Sequence, residues 1–374
     1  MRGLQVKAVM TDAAERFIGR QSVAAISGSP VAVDLFSAEP SPHTELASWA
    51  DLVVVAPATA DFMAKVAGGF AGDLATTTIL ATEAPVMLAP AMHSNMLAAP
   101  ATRRNLTTLA ADGRIVLPAD SGRLAGGDVG IGRLLDPVWI ADAVELRLSG
   151  EFFDLSGVAV LVSAGGTREG FDAVRYVGNH SSGRQGWAIA EAAALQGANV
   201  VVVSTVDPPV PGGPVEVVRV ESAIEMEAAM VKASSFADWI FMAAAVADFR
   251  PEERIGNKLK RDGVERTAIE LVPNPDILAG LARDRSPGQL VVGFAAETGS
   301  LASEVERKLR SKGVDILVGN DVSLPGSSFG SPDNLVVIAD RFGGRLELPL
   351  MPKLRVAQEL LRQARRVSLE LAPD

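Results

Sequence analysis

Residues 164–183, AGGTREGFDAVRYVGNHSSG, collect the residue types that bind anions. Gly165 and Gly166 would let the backbone approach a ligand, and Arg168 and Arg175 supply fork-shaped cations. Ser181-Ser182-Gly183 then opens a helix, whose free amides and positive dipole end would hold a phosphate or carboxylate. The competing reading is a long surface loop ending in a serine cap, but a compact domain seldom keeps so long a loop for structure alone. The flanking residues decide where this chemistry sits. Residues 158–163 and 200–204 are apolar, β-branched runs around an Ala-rich helix predicted at 182–196, the pattern of a β-α-β crossover with parallel strands.

Four more constellations follow in the second half. AAAVADFRP (243–251) ends a predicted strand in small residues, so Ala243 and Ala244 leave room for a planar base or ribose; Asp248 could hold a metal-bound phosphate or a hydroxyl. In NKLKRDG (257–263), Lys258 is the candidate to reach a triphosphate, against the bland reading of a solvated basic face. NPDIL (274–278) is a helix-start signal in which Asn274, Pro275, Asp276 and Ile277 surround free amides, with Pro275 expected at the first turn. GFAAET (293–298) is a second small-residue strand exit with Phe294 able to stack on a base, and Lys308 and Lys312 share one helix face at i and i+4. Of the three histidines, His43 reads as catalyst or helix cap, His93 as a group at a strand exit, and His180 as a ligand contact or a surface residue.

The elements that must position these groups alternate. In the first half, strands are predicted at 4–10, 52–56, 85–89 and 115–117. Helices are predicted around Phe17 and at 42–49, 61–66, 74–81 and 95–111. Such alternation indicates an α/β, doubly wound parallel sheet, with ligands collecting at the strand exits Met10-Thr11, Pro57-Ala58-Thr59 and Pro90-Ala91-Met92-His93. Polar residues and Gly150 place a linker at 147–156, giving domains 1–147 and 154–374. The second is also Rossmann-like, with strands at 158–163, 200–204, 215–220, 239–243, 290–293 and 315–318. A hairpin at 335–339 and 345–348 turns at Gly343-Gly344. Helices are predicted at 182–196, 222–233, 276–284, 299–312 and 353–367.

Composition narrows the function. With 48% hydrophobic and 21% charged residues each half can bury a core. The net charge of −10 argues against nucleic acid or an anionic membrane as partner. Without cysteine there is no disulfide, thiolate metal site or cysteine nucleophile. No apolar run spans a bilayer and no signal peptide is evident, so a cytoplasmic enzyme is expected.

Two sets of motifs resemble known families. APATADFMAK (56–65), GDLATT (72–77), APAMHSNM (89–96) and SPHTELASWADL (41–52) resemble the flavin-dependent decarboxylases of phosphopantothenoylcysteine. SAGGTREGFDAVRYVGNHSSGRQG (163–186), with MAAAVADFRP, KLKR, NPDIL, GFAAET, KLRSKGVDILVGND and FGSPDN, resembles phosphopantothenate–cysteine ligase over nearly the whole second half. Together they resemble the bifunctional decarboxylase–ligase family of coenzyme A biosynthesis. For the first half the resemblance implies an active-site His43 and FMN near Thr11, Ala58, Thr59, Thr76 and Met92. For the second it implies Asn179 at an acyl-nucleotide intermediate, and Ala243, Ala244, Asp248, Lys258, Asn274 to Ile277, Phe294, Lys308 and Lys312 around CTP. Mg²⁺, 4′-phosphopantothenate and L-cysteine complete the implied set, with a homo-oligomer of trimeric flavin domains and paired ligase domains. The chain departs from the pattern in several places. The family's Gly-Gly-Ile-Ala turn and opening strand would lie before residue 1, so an N-terminal truncation is expected. His93 stands for asparagine and Gly126 for a flap cysteine, Arg184 stands for lysine and His180 for arginine. The alternatives are a ligase whose first half is a non-catalytic oligomerisation relic, and a nucleotide sensor or dehydrogenase-like module. The latter lacks a compact G-x-G-x-x-G turn with an acid about twenty residues on.

Overall fold

Strands that are apolar on both faces belong at the centre of a parallel sheet, where helices cover each side. The computed structural model describes residues 3–36, 41–150, 153–209, 213–260, 268–297, 301–321 and 330–371, and it places the valine-rich runs in that position. The chain divides into two units, Met1–Gly150 and Glu151–Asp374.

The first unit runs α1 (Arg20–Ser27), α2 (Pro42–Trp49), β1 (Val53–Ala58), α3 (Ala60–Ala67), α4 (Leu74–Ala81), β2 (Val86–Pro90), α5 (Ser94–Ala98), α6 (Pro100–Ala111), β3 (Ile115–Val116), β4 (Asp120–Arg123), β5 (Val129–Arg133) and α7 (Pro137–Leu148). Strands β1, β2 and β3 form a parallel sheet in that order, and β4 and β5 form a separate hairpin. Fully buried β2 packs with Ala58, Met63, Ile79 and Leu109 in the core. The strand expected at 4–10 is not formed. Val9 makes an isolated bridge to Ala32, and Leu4 and Val6 are exposed, because this stretch pairs only with the few residues around Ala32. The helix around Phe17 is a single 3₁₀ turn, Ala14–Arg16. The helix expected at 95–111 is two, since Pro100 pushes Ala99 out of helical geometry. Arg147, assigned to the linker, belongs to α7.

The second unit contains β6 (Ala159–Ala164), β7 (Arg168–Gly170), β8 (Tyr176–Gly178), α8 (Arg184–Leu195), β9 (Asn199–Ser204), β10 (Val215–Arg219), α9 (Ala223–Ser234), β11 (Trp239–Met242), β12 (Phe249–Pro251) and β13 (Leu271–Pro273). It continues through α10 (Ile277–Asp284), β14 (Leu290–Glu297), α11 (Leu301–Lys312), β15 (Ile316–Asp321), β16 (Asp333–Asp340), β17 (Arg345–Pro352) and α12 (Lys353–Leu371). Its eight-stranded sheet has the order β10-β9-β6-β11-β14-β15-β16-β17, parallel through β15 and closed by the antiparallel β16–β17 hairpin. The chain therefore winds outward from β6 to β10, then returns to β11 on the other side of β6. That reversal is the crossover point at which such sheets bind ligands. Alternation along the strands sends Leu161, Ile240, Met242 and Val291 into a core with Met226 and Met230 of α9, Leu281 of α10 and Leu309 of α11. On the other face α8 is almost wholly buried and packs against α12, whose Val356, Leu360, Ala364 and Val367 recur at helical spacing. Among the described residues no helix is long and apolar enough to cross a membrane.

Candidate active sites

The carboxyl ends of β6 and β11 are stitched together by small, fully hydrogen-bonded residues. Ala245 N–H donates to Gly165 O (2.8 Å) and Thr167 N–H to Ala245 O (3.2 Å). Ala244 N–H reaches the buried Ser163 Oγ at 3.0 Å, and Ala247 N–H reaches the buried Thr167 Oγ1 at 2.9 Å. Onto this platform Asn179 lays its amide, Nδ2 donating to Val246 O at 3.1 Å and to Ala245 O at 3.4 Å. Gly166 is a close-approach glycine here, because a Cβ would stand 2.6 Å from Asn179 O. Asn274 adds the next strut, its N–H bonding Asp248 O and its Nδ2 bonding Ala247 O, each at 2.8 Å.

Beside Asn179 lies a cleft of about 130 Å³, lined by Ser181 to Gln185, Ala243 to Ala245, Phe294, Ala296, Asn320, Gly330, Asn334 and Lys353. Ala243, Ala244 and Phe294, expected from the sequence near a base, all line this cleft. Helix α8 begins at Arg184, after Gly183 at φ +71° with no side-chain cap, so neither Ser181 nor Ser182 is the expected serine cap. Gly186 lets this helix lie against β6, since a Cβ there would stand 2.7 Å from Ser163 O. The free amides of the α8 start thus face the cleft.

Other expected groups lie elsewhere. Arg175 is not an open anion fork: it grips the buried Asp172 (Nε 2.9 Å) and donates to Leu259 O (2.8 Å). The Arg175 guanidinium, together with the Val174, Arg175 and Leu259 amides, holds the Asp172 carboxyl well below the usual carboxylate range despite its burial. Leu259 N–H donates to Asp172 Oδ2 at 3.2 Å, so Asp172 anchors the segment that carries exposed Lys258, which is not part of the cleft lining. Arg168 covers the Tyr176 ring at 5.3 Å on the β7–β8 hairpin, within the stretch expected to be loop. Pro275 precedes the helix; the cap is Asp276, which accepts Ala279 N–H at 3.1 Å and pairs with Lys312. The Lys312 contact offsets the burial that would raise the Asp276 pKa, leaving it below the usual value. Lys308 is half-buried on α11, Asp248 and His180 are exposed, and Phe329 of FGSPDN and Thr298 lie outside the described residues.

In the first unit, β1 and β2 exit side by side, with Ala58 opposite Pro90 and Ala91 N–H donating to Ala58 O at 3.1 Å. Thr59 caps α3, accepting Phe62 N–H at 3.2 Å, and Met92 N–H donates to Gly132 O at 2.8 Å. The β4–β5 hairpin lies over this exit. A Cβ on Gly132 or Gly130 would strike Met92 O at 2.1 Å or Ser94 Oγ at 2.3 Å. His93 clasps the same hairpin through Nε2, 2.9 Å from Asp128, while its Nδ1 accepts Asn95 N–H at 3.2 Å. His43 sits in the first turn of α2 with a buried Nδ1 that has no partner among the described residues, a polar atom a ligand would satisfy. Thr76 is buried and its hydroxyl is engaged in the Asp73 capping box; Thr11 accepts Ala14 N–H at 3.3 Å.

Fold and sites define a two-unit α/β protein whose second half is a Rossmann-like sheet with its cleft at the crossover. Residues 155–367 match the family described as DNA/pantothenate metabolism flavoprotein C-terminal domain, and residues 1–149 match the family described as Flavoprotein. A coenzyme A biosynthesis bifunctional protein of Mycobacterium bovis is 46% identical over 336 residues, 85% of this chain and 79% of that one. One from Escherichia coli strain K12 is 44% identical over 367 residues, 96% of this chain and 89% of the other. The crystal structure of the C-terminal domain of a protein of that name is 36% identical with a TM-score of 0.48, covering 58% of this chain and 98% of that one. The chain belongs to the family of coenzyme A biosynthesis bifunctional proteins.

Proposed function

We propose that the second unit couples 4′-phosphopantothenate to L-cysteine at the expense of CTP, and that the first decarboxylates the phosphopantothenoylcysteine so formed. The observation that carries this reading is the Asn179 amide held on the Ala245 and Val246 carbonyls beside a cleft that gathers small residues, a ring and helix amides. A carboxylate acylates amines poorly until it is activated. Its oxygen attacks the α-phosphorus of CTP, the bond to the β-phosphate breaks, and pyrophosphate leaves. The amine of cysteine then attacks the acyl carbon, CMP leaves, and the amine proton passes to solvent. Helix amides at Arg184 and Gln185 would stabilise the charge on the phosphates; Mg²⁺ brought in on the nucleotide would neutralise part of it, and Lys258, Lys308 and Lys312 are the remaining proposed contacts. Asn179, oriented by its two carbonyl contacts, holds the acyl-cytidylate for the incoming amine.

In the first unit the paired strand exits with Ala58, Thr59 and Met92, and the unsatisfied nitrogen of His43, fit a flavin mononucleotide, for which Thr11 and Thr76 are the remaining proposed contacts. When bound, flavin would supply reversible two-electron oxidation of the cysteinyl thiol, which lets the neighbouring carboxylate leave as CO₂. His43 and His93, the latter bonded to Asp128, are the residues proposed to hold or move a proton there. A homo-oligomer working in the cytoplasm belongs to the same proposal. The test is pyrophosphate release, which should require CTP and phosphopantothenate, with CMP release further requiring cysteine; release without phosphopantothenate would refute the ligase. A yellow purified protein with bound-flavin absorbance supports the decarboxylase, and a colourless one that cannot be reconstituted with FMN refutes it.

A further inference from the structure

No motif singles out Lys353, yet it lines the cleft beside Asn179. It is the first residue of α12, and Gln185 Nε2 donates to its carbonyl at 3.3 Å, tying the head of α12 to the first turn of α8. Gln185 is braced in turn by Asn334 Nδ2, at 3.2 Å from its Oε1. Lys353 Nζ donates to the carbonyls of Ser331 and Asp333 (2.7 Å for the latter), which leaves one of its three N–H groups. Among the described lining residues the only other charged side chain is Arg184, fixed by Gly330 O at 2.6 Å, and none is a carboxylate. Burial and then Arg184 bring the lysine down to about 8, with Asp333 opposing. Two like charges are thus held in a polar cleft, beside a helix start without a side-chain cap. Such an arrangement is costly empty and is relieved by a multiply charged anion.

We infer that Lys353, with Arg184, anchors a phosphoryl group in the ligase cleft, either the terminal phosphates of the nucleotide or the phosphate of the acyl substrate. This rests on the ligase reading for the identity of the ligands, not for the binding itself. The experiment is calorimetric titration of the full chain with inorganic pyrophosphate and, separately, with phosphopantothenate, for wild type, Lys353→Gln, Lys353→Arg and Arg184→Gln. Loss of one charge-assisted contact predicts roughly tenfold to hundredfold weaker binding of one of the two ligands in Lys353→Gln, with recovery in Lys353→Arg. Weakened pyrophosphate binding with a raised KM for CTP assigns the nucleotide end. Weakened phosphopantothenate binding assigns the acyl substrate. If both ligands bind Lys353→Gln as they bind wild type, the anchor is refuted. Should Lys353→Gln not fold, unaltered binding by Arg184→Gln, an exposed position, refutes it equally. A wild type that binds pyrophosphate but never releases CMP would overturn the ligase reading and leave the anchor standing.

Discussion

Replacing Gly166 with alanine should slow the ligase by moving Asn179 without touching its side chain. The backbone at Gly166 is not in the left-handed region, so alanine is sterically allowed there and the penalty comes from what its Cβ meets. That atom would lie 2.6 Å from Asn179 O and 3.3 Å from Ser181 Cβ. An ordinary carbon–oxygen contact is about 3.3 Å, so roughly 0.7 Å must be found. Gly166 cannot retreat, because Gly165 O and Thr167 N–H are both bonded to Ala245 across the strand exits. The Asn179 peptide gives way instead. Its Nδ2, at 3.1 Å from Val246 O, would then pass beyond hydrogen-bond reach. Overpacking of this size costs about 1–3 kcal/mol, or roughly 2–10 °C in the melting of a unit of this length. A displacement approaching 1 Å at a positioned group costs on the order of tenfold to hundredfold in rate. The assay is continuous pyrophosphate release with CMP quantified at each time, alongside a thermal melt. A lowered melting temperature with wild-type kcat would show that the Asn179 position does not control the rate, and the reasoning would fail.

Asn179→Asp should melt like wild type, because the residue is exposed, but should lose CMP release by roughly a hundredfold; a carboxylate would face two carbonyl oxygens with no proton to offer. Asp315 is fully buried and takes bonds from Arg285 (2.8 Å), Arg341 (2.9 Å) and the Val291 amide (2.9 Å). Asp315→Ala should therefore cost about 3–5 kcal/mol in chemical denaturation while leaving the KM for CTP of the folded protein unchanged. Lys353 is depressed to about 8 in the folded chain, against about 10.4 when unfolded. Between those values the unfolded chain binds more protons, so this group's contribution to stability rises with pH. Wild type should gain on Lys353→Gln in melting temperature as pH goes from 8 to 10; a constant gap would contradict the assignment.

Where a residue's neighbours in the sequence decide its structure, the fold was readable. The buried runs of β6, β9, β11 and β14 and the Ala-rich α8 announced the parallel sheet, and Gly343-Gly344 announced its closing hairpin. Helix α7 was not predicted although its local cues were present: Asp136 caps it by accepting Val138 N–H at 2.9 Å and Pro137 follows. The β7–β8 and β12–β13 pairs were missed because strands of three residues are too short to show a period. Distance in sequence hid the rest. Arg175 looked like an open cation because its partner Asp172 is also a surface-loop residue by pattern, and Lys258 was placed by composition rather than by the Leu259–Asp172 bond. Lys353 gave no motif at all. It reaches the cleft only because β17 ends beside α8, which no local pattern encodes. The strand at 4–10 failed for the opposite reason: its apolar run was real, but a strand also needs a neighbour.

The most direct test is a single-turnover reaction of the full chain with CTP labelled in the α-phosphate, phosphopantothenate and no cysteine. The account predicts one equivalent of pyrophosphate per active site and a protein-bound acyl-cytidylate that turns into CMP only when cysteine is added. Labelled CMP formed at the same rate without cysteine, or pyrophosphate formed without phosphopantothenate, would contradict it.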